Sequence, residues 1–240
     1  MPPTIEKLHC GKLMTRLQDI REAAWGQRDG LLVKYPSWDR EMDARVAAFN
    51  RLGAILTGVH ASFFWLAEFL RNEQKGHSTL PLAKDAREYY FTTFIDFTRT
   101  GLLISTFSTV ESSFRSFLRA IDPNACNGAT SEFKSVYECL LRSKLSVGVN
   151  DYIQLLDLLR HARNTIHNNG VYLSKTGTDV QVPYKGVTYR FPHGTRIDFV
   201  TFEFVLSLTE DLAQLLFKIV ADPALTTITA TIKDLSSELQ

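Results

Sequence analysis

The sequence predicts a mainly α-helical bundle with a small β-hairpin or meander inserted before the last long helix. Three observations predict it. Over most of the first 167 residues, apolar side chains recur at steps of three, four and seven, which is the helix period. Between about residues 179 and 200 short β-branched and aromatic runs alternate with Gly and Pro turns. Helical spacing then resumes at Phe202. With 240 residues and 45% hydrophobic side chains, the chain can build a core, which excludes a disordered chain and a disulfide-stapled miniprotein. A single helical domain over 1–240 is the simplest organisation, with an N-terminal helical extension over about 1–80 and a β insertion over about 171–200.

The elements follow in order. Ile5 to Trp25 is amphipathic, and Gly26 and Gly30 predict its end. A start signal near Ser37, after Tyr35-Pro36, opens a helix to about Asn72. Residues 73–79 form a polar connector, and Pro81 suits a first helical turn. Leu82 to Ile121 is helical, with a break expected near Thr98–Gly101. Its second part carries Phe107, Val110, Phe114, Phe117, Leu118 and Ile121 on one face. Asp122-Pro123-Asn124 closes it, and Thr130 caps a helix to about Val147. Asp151 to His167 carries the stripe Tyr152, Leu155, Leu156, Leu159, Ala162 and Ile166, and Gly170 supplies a left-handed stop. Asp179–Tyr184 and Val187–Phe191 read as strands joined at Lys185-Gly186, with Ile197–Val200 following the turn at Pro192-His193-Gly194. A helix from Phe202 to Ala221 and a short one after Pro223 complete the chain.

Charge and cysteines narrow the setting. A net charge of +1 is not that of a polybasic protein, so any polyanion site must be local. Residues 142–196 hold eight bases against three acids, a local +5, and leave −4 on the rest. Tyr172, Tyr184, Tyr189 and Phe191 are interleaved there, a pattern that suits RNA backbone contact with base stacking. Cys10, Cys126 and Cys139 form an odd set without a CxxC pair, which suits a reducing compartment. The first residues lack the apolar run of a signal peptide, so the protein reads as cytoplasmic. Leu52 to Leu70 is the most apolar stretch, diluted by Gly, Thr, His and Ser, and reads as a core helix rather than a membrane span. His60 within it reads as a core histidine. No phosphate-binding glycine loop, HExxH, zinc spacing or Gly-x-Ser-x-Gly elbow is present, so neither cofactor nor metal is expected.

The segment Leu159-Arg160-His161-Ala162-Arg163-Asn164-Thr165-Ile166-His167 carries the chemistry. On a helix Arg160, Arg163 and His167 fall within roughly 60° of one another. Two guanidiniums beside an imidazole can hold a phosphodiester, and an imidazole of ordinary pKa ~6.5 exchanges protons near neutrality. The matching reaction is attack of a ribose 2′-hydroxyl on the adjacent phosphorus, with His167 moving the proton and arginine stabilising the added charge. The same residues equally suit a structural role, with Arg163 packing its stem on the core and His167 capping the helix.

Arg163-Asn164-Thr165-Ile166-His167-Asn168-Asn169-Gly170, at the end of an apolar helix, resembles the signature of HEPN domains. Ser108-Thr109-Val110-Glu111-Ser112-Ser113-Phe114-Arg115 resembles an earlier helix of the same domains, and the likeness covers about residues 90–220. The resemblance implies a helical bundle that dimerises to join two motifs in one cleft. It also implies a metal-independent endoribonuclease of a toxin or antiphage-defence system, or a catalytically silent interaction or nucleotide-sensing module of one. The family motif is an Arg, four to six residues, then His. Arg160 stands six residues before His167, whereas Arg163 has the expected Asn164 beside it but only three residues before His167, so either arginine can be the motif's. The resemblance gives Asn164 an orienting role and Glu111 a pairing with a motif arginine, while the step of four on its own helix equally suits a pair of Glu111 with Arg115. The β insertion, through Lys185, Tyr189, Arg190 and Arg196, is expected to touch RNA or a regulatory partner such as an antitoxin.

Overall fold

Apolar rows at helical spacing pack as that spacing requires. In the computed structural model, which describes residues 10–74, 84–127, 132–146 and 150–234, three long helices come first: α1 (Cys10–Lys34), α2 (Ala44–Gln74) and α3 (Lys84–Ile121). A 3₁₀ turn at Ala125–Asn127 leads to α4 (Phe133–Cys139), a π-helical turn (Leu140–Lys144) and α5 (Asn150–His167). The antiparallel hairpin β1 (Val180–Tyr184) and β2 (Val187–Phe191) precedes α6 (Phe202–Val220) and the short α7 (Pro223–Thr226). The mainly α fold with its hairpin before the last long helix is therefore as the sequence predicts.

In α2 the buried row is Leu52, Leu56, Val59, Phe63 and Leu66, and in α3 it is Leu103, Phe107, Val110, Phe114 and Phe117. Both rows step by four and three, so each helix turns one stripe inward. Helix α6 touches α1, α2, α3 and α5. Val205, Leu206, Leu208, Leu212, Leu215, Leu216 and Ile219 are accordingly all buried, a stripe too wide for a surface helix. One helix, over Ala44–Phe69, is long and apolar enough to cross a membrane by length and composition. Its inward row lies in the common core with α1, α3 and α6, while His60 is half-buried rather than a core residue.

Several boundaries differ from expectation, each for a local reason. Helix α1 runs through Gly26 and Gly30 to Lys34, because a glycine weakens a helix without ending it and buried Leu31 anchors the last turn. Helix α2 starts at Ala44 rather than near Ser37. Asp39 accepts the backbone N–H groups of Glu41 and Met42, and Asp43 accepts that of Arg45 at 3.0 Å, so a carboxylate does the capping. No break occurs at Thr98–Gly101, where the Thr98 hydroxyl donates to the Phe94 carbonyl inside a continuous helix. Residues 197–200 form no third strand. Val171 bridges Arg196 and the Ile197 N–H donates to the Gly170 carbonyl, so this segment pairs with the chain leaving α5. Residues 5–9, Pro81, Thr130 and Val147 lie outside the described residues.

Cys126 and Cys139 are joined in a disulfide, since the tight turn after α3 brings their Cα atoms to 6.2 Å, inside bridging range. This corrects the reading of the cysteines as thiols of a reducing compartment, and removes cysteine usage as an argument about compartment.

Helices α1 and α2 meet at a glycine. A Cβ on Gly53 would stand 2.0 Å from Nε1 of Trp25, so the indole occupies the space a side chain would need. Gly53→Ala is expected to destabilise the fold by about 1–3 kcal/mol through overpacking, despite alanine's better helix propensity. Urea unfolding of the variant checks this, and an unchanged or raised midpoint would refute the contact.

Candidate functional site

Helix α5 carries every residue of the motif and buries Leu155, Leu156, Leu158, Leu159 and Ala162 in the core. Beside that stripe its polar groups divide into an inner chain and an outer face.

The inner chain begins on α4. The Tyr137 hydroxyl donates to Asp157 Oδ1 at 2.5 Å, and Arg160 Nη2 donates to the same oxygen at 3.1 Å. Arg160 Nη2 also stands 2.8 Å from His161 Nε2, and His161 Nδ1 stands 2.7 Å from the Tyr172 hydroxyl. A guanidinium can only donate, so Nε2 is the accepting nitrogen and the ring proton sits on Nδ1, donated to Tyr172. The imidazole is therefore neutral. Burial, reinforced by the Arg160 charge, pushes its pKa down to about 4. Burial and the hydrogen bond to Asp157 push the Tyr137 hydroxyl well up, so it stays a proton donor. The Tyr172 and Phe191 rings close over His161 at 5.4 and 5.3 Å, tying the hairpin and the chain after α5 to the helix. Arg160 is thus half-buried, with its charge met by Asp157 and one nitrogen committed to His161.

The outer face holds Arg163, Asn164 and His167. The Arg163 guanidinium lies 5.0 Å over the Phe107 ring of α3 and donates to Asn164 Oδ1 at 3.3 Å. His167 is exposed in the last turn, and among the described residues its side chain has no hydrogen-bond partner. Asn169 and Gly170 then take left-handed backbone at φ 53° and 86°, which turns the chain so that the Arg196 stem lies 3.8 Å from where a Gly170 Cβ would stand. Arg163 and His167 therefore share one face of α5, with Arg196 beside the turn that follows. Glu111 pairs with Arg115 at 2.6 Å on its own helix, not with an arginine of α5.

Ion pairing sorts the local excess of positive charge. Lys144 pairs with Asp122, Arg160 with Asp157, Lys175 with Glu132 and Lys185 with Asp211. Arg142, Arg163, Arg190 and Arg196 have no acidic partner among the described residues. Lys185 Nζ meets Asp211 at 2.6 Å and the Tyr184 hydroxyl donates to the same carboxylate, so the hairpin tip is pinned to α6. Tyr189 faces inward against Phe199 and Phe204 at 5.1 and 5.4 Å, which places its ring in packing rather than in a base-stacking position. Arg190 alternates with it on the outer side of β2 and is exposed. His193 Nδ1 accepts the Ser174 N–H, a turn contact.

Sequence reading overlooked Tyr137, Asp157, His161 and Tyr172 as a connected set. The only available signal was a row of polar residues flanking the α5 stripe, and nothing in the spacing announces that an α4 tyrosine and a loop tyrosine complete it. Among the described residues no group of three or more His, Cys, Asp or Glu is placed to hold a metal ion. No family model matches the chain, and no curated protein or solved structure matches it.

Proposed function

We propose that this protein is a HEPN-like helical module that binds RNA, or a nucleotide's phosphates, on the outer end of α5 without cutting it, in a toxin–antitoxin or antiphage-defence setting. The observation that carries this reading is the engagement of Arg160. Its guanidinium is already engaged by Asp157 and His161, which leaves Arg163 as the arginine free to face a phosphate. Arg163 stands only one helical turn before His167, closer than the family motif sets the two. Arg163 and Arg196 near the end of α5, and Arg190 on the outer side of β2, are free of acidic partners among the described residues. A guanidinium fork suits phosphate oxygens, so binding needs no catalytic geometry.

The test is incubation with RNA in chelator, read both for retention and for cleavage. Retention without cleavage is expected. Arg163→Ala, Arg190→Ala or Arg196→Ala should each weaken retention and lower the salt slope by about one. RNA that is neither held nor cut sinks this reading.

The exposure of His167, with Arg163 on the same face, favours a second reading: a metal-independent endoribonuclease. Arg163 would hold the phosphodiester, Asn164 would orient it, and His167 would take the 2′-hydroxyl proton as that oxygen attacks phosphorus, the P–O5′ bond breaking and the departing 5′-oxygen taking a proton from water. Cleavage leaving 2′,3′-cyclic phosphate ends, abolished by His167→Ala, would select it. Substituting an exposed helix-end histidine should change stability by no more than about 0.5 kcal/mol, so that variant reports on chemistry rather than folding.

A further inference from the structure

The Ser116 hydroxyl is buried on α3 with no hydrogen-bond partner among the described residues. Thr98, Thr109 and Ser113 of the same helix each donate to the carbonyl one turn back, at 2.8, 2.9 and 2.8 Å. Thr106 and Ser116 make no such bond, and of the two Ser116 lines a cavity. An unpaired buried hydroxyl costs free energy, so in a native fold it calls for an explanation. The cavity, of about 400 Å³, lies between the last turns of α3 and the chain that follows α7, and its size falls within the range of small-molecule sites. Ser116, only 3% exposed, forms its floor.

The walls are hydrocarbon with one cation beside them. Ala120 stands on the α3 side, and Ile228, Ala230 and Ile232 form the opposite wall. That wall is fixed by α2: the Ile228 and Ala230 carbonyls accept from Arg45 at 2.8 and 3.1 Å, and the Ile232 carbonyl accepts the Ala44 N–H at 2.7 Å. A wall held in this way needs no ordering when a ligand enters. Arg119, nearly one turn after Ser116, lines the same cavity. Its Nε donates to the Arg115 carbonyl at 3.3 Å, whereas its two Nη groups have neither an acceptor nor an acidic partner among the described residues. No acid among the described residues lines the cavity.

We propose that this cavity binds a small carboxylic acid with an apolar body. The planar fork of Arg119 matches the two oxygens of a carboxylate, and the Ser116 hydroxyl supplies a further donor to one of them. The hydrocarbon body lies against Ile228 and Ile232. Charge separates this ligand from a phosphate ester. The end of α3 contributes about half a negative charge, so a single guanidinium beside it offsets one carboxylate charge better than the ~1.5 to 2 of a phosphate. Lys233 also borders the cavity but has a partner of its own, so the carboxylate is assigned to Arg119. The site is separate from the outer end of α5, since Arg163 meets α3 at Phe107, about twelve residues or ~18 Å along the helix from Arg119.

An NMR chemical-shift titration of the full chain with 3-phenylpropionate tests the proposal, with 3-phenylpropanol, acetate and phenyl phosphate as comparisons. A Kd at or below about 1 mM is expected for the acid. The alcohol lacks the charge and acetate lacks the body, so each should bind about 10-fold more weakly or worse. Arg119→Gln should weaken the acid about 10-fold or more, and Ser116→Ala about 3-fold or more, with the thermal melt of Ser116→Ala unchanged or raised because the unpaired hydroxyl is gone. Arg119→Lys, which keeps the charge but not the fork, should also weaken the acid and replaces Arg119→Gln if that variant does not fold. No shift change at about 10 mM acid overturns the proposal. So does an affinity that none of these substitutions lowers, an alcohol that binds as tightly as the acid, or a phenyl phosphate that binds more tightly.

Discussion

Arg45→Ala is expected to destabilise the folded protein by about 3–5 kcal/mol, the cost of stranding a buried charge. Arg45 and Asp43 are both fully buried, with Nε and Nη2 on the carboxylate at 2.8 and 2.6 Å. The remaining donors reach the carbonyls of Leu225, Ile228 and Ala230, while the guanidinium lies 4.1 Å over the Trp38 ring. One side chain thus holds the α2 N-terminus, the loop before it and the chain after α6 together. Alanine leaves the Asp43 carboxylate and three backbone carbonyls short of donors in a dry site, each of which costs free energy separately. Lysine cannot replace the fork, because an ammonium has neither its planarity nor its reach to five acceptors. Urea unfolding should show a lower midpoint with an unchanged slope. Asp43→Leu with Arg45→Met should be less damaging than Arg45→Ala, since it removes both charges at once. A loss below about 1 kcal/mol for Arg45→Ala would mean that water reaches the pair.

This clamp marks what the sequence makes legible. Helix rows such as Leu52, Leu56, Val59, Phe63 and Leu66 are periodic and local, so α2, α3, α5 and α6 could be read from spacing. The hairpin turn at Lys185-Gly186 was legible for the same reason: both residues take positive φ, 48° and 76°, which the dipeptide tolerates. Arg45, by contrast, looks like one more basic residue at a helix start. Its partners Leu225, Ile228 and Ala230 lie about 180 residues away and contribute only carbonyls, which every residue has. Arg160 was misplaced for a related reason. Its angle on α5 puts it near Arg163 and His167, but a wheel fixes direction, not which neighbour fills that direction. Tyr137 and Tyr172 approach from other elements and bond Asp157 and His161, the two groups that engage Arg160. Arg163 and Asn164 are half-buried beside Phe107 of α3, while His167 in the last turn is exposed.

His161 should make the protein acid-sensitive in a defined window. Its folded pKa lies at about 4, while an unfolded histidine titrates near 6.5. Between those values the unfolded chain binds the extra proton, so unfolding becomes easier as pH falls. The contribution is complete above about pH 6.5, shrinks as pH drops, and is gone at about pH 4. At 1.36 kcal/mol per pKa unit it reaches about 3 kcal/mol. Protonation puts a proton on Nε2, facing the guanidinium that now donates to it, so the Arg160 contact turns repulsive while the Tyr172 bond survives. Asp157 opposes this in part and Lys134 adds to it. His161→Gln keeps an acceptor for Arg160 but does not titrate. Unfolding free energies of wild type and variant, compared across this window, should diverge toward higher pH, and parallel curves would refute the assignment. The same geometry sets how Arg160→Ala must be read. It strips Asp157 and His161 of a shared donor, so any loss of RNA binding in that variant has to be compared with its loss of stability. His167→Ala and Arg163→Ala do not disturb the inner chain and are the variants that speak for the outer face.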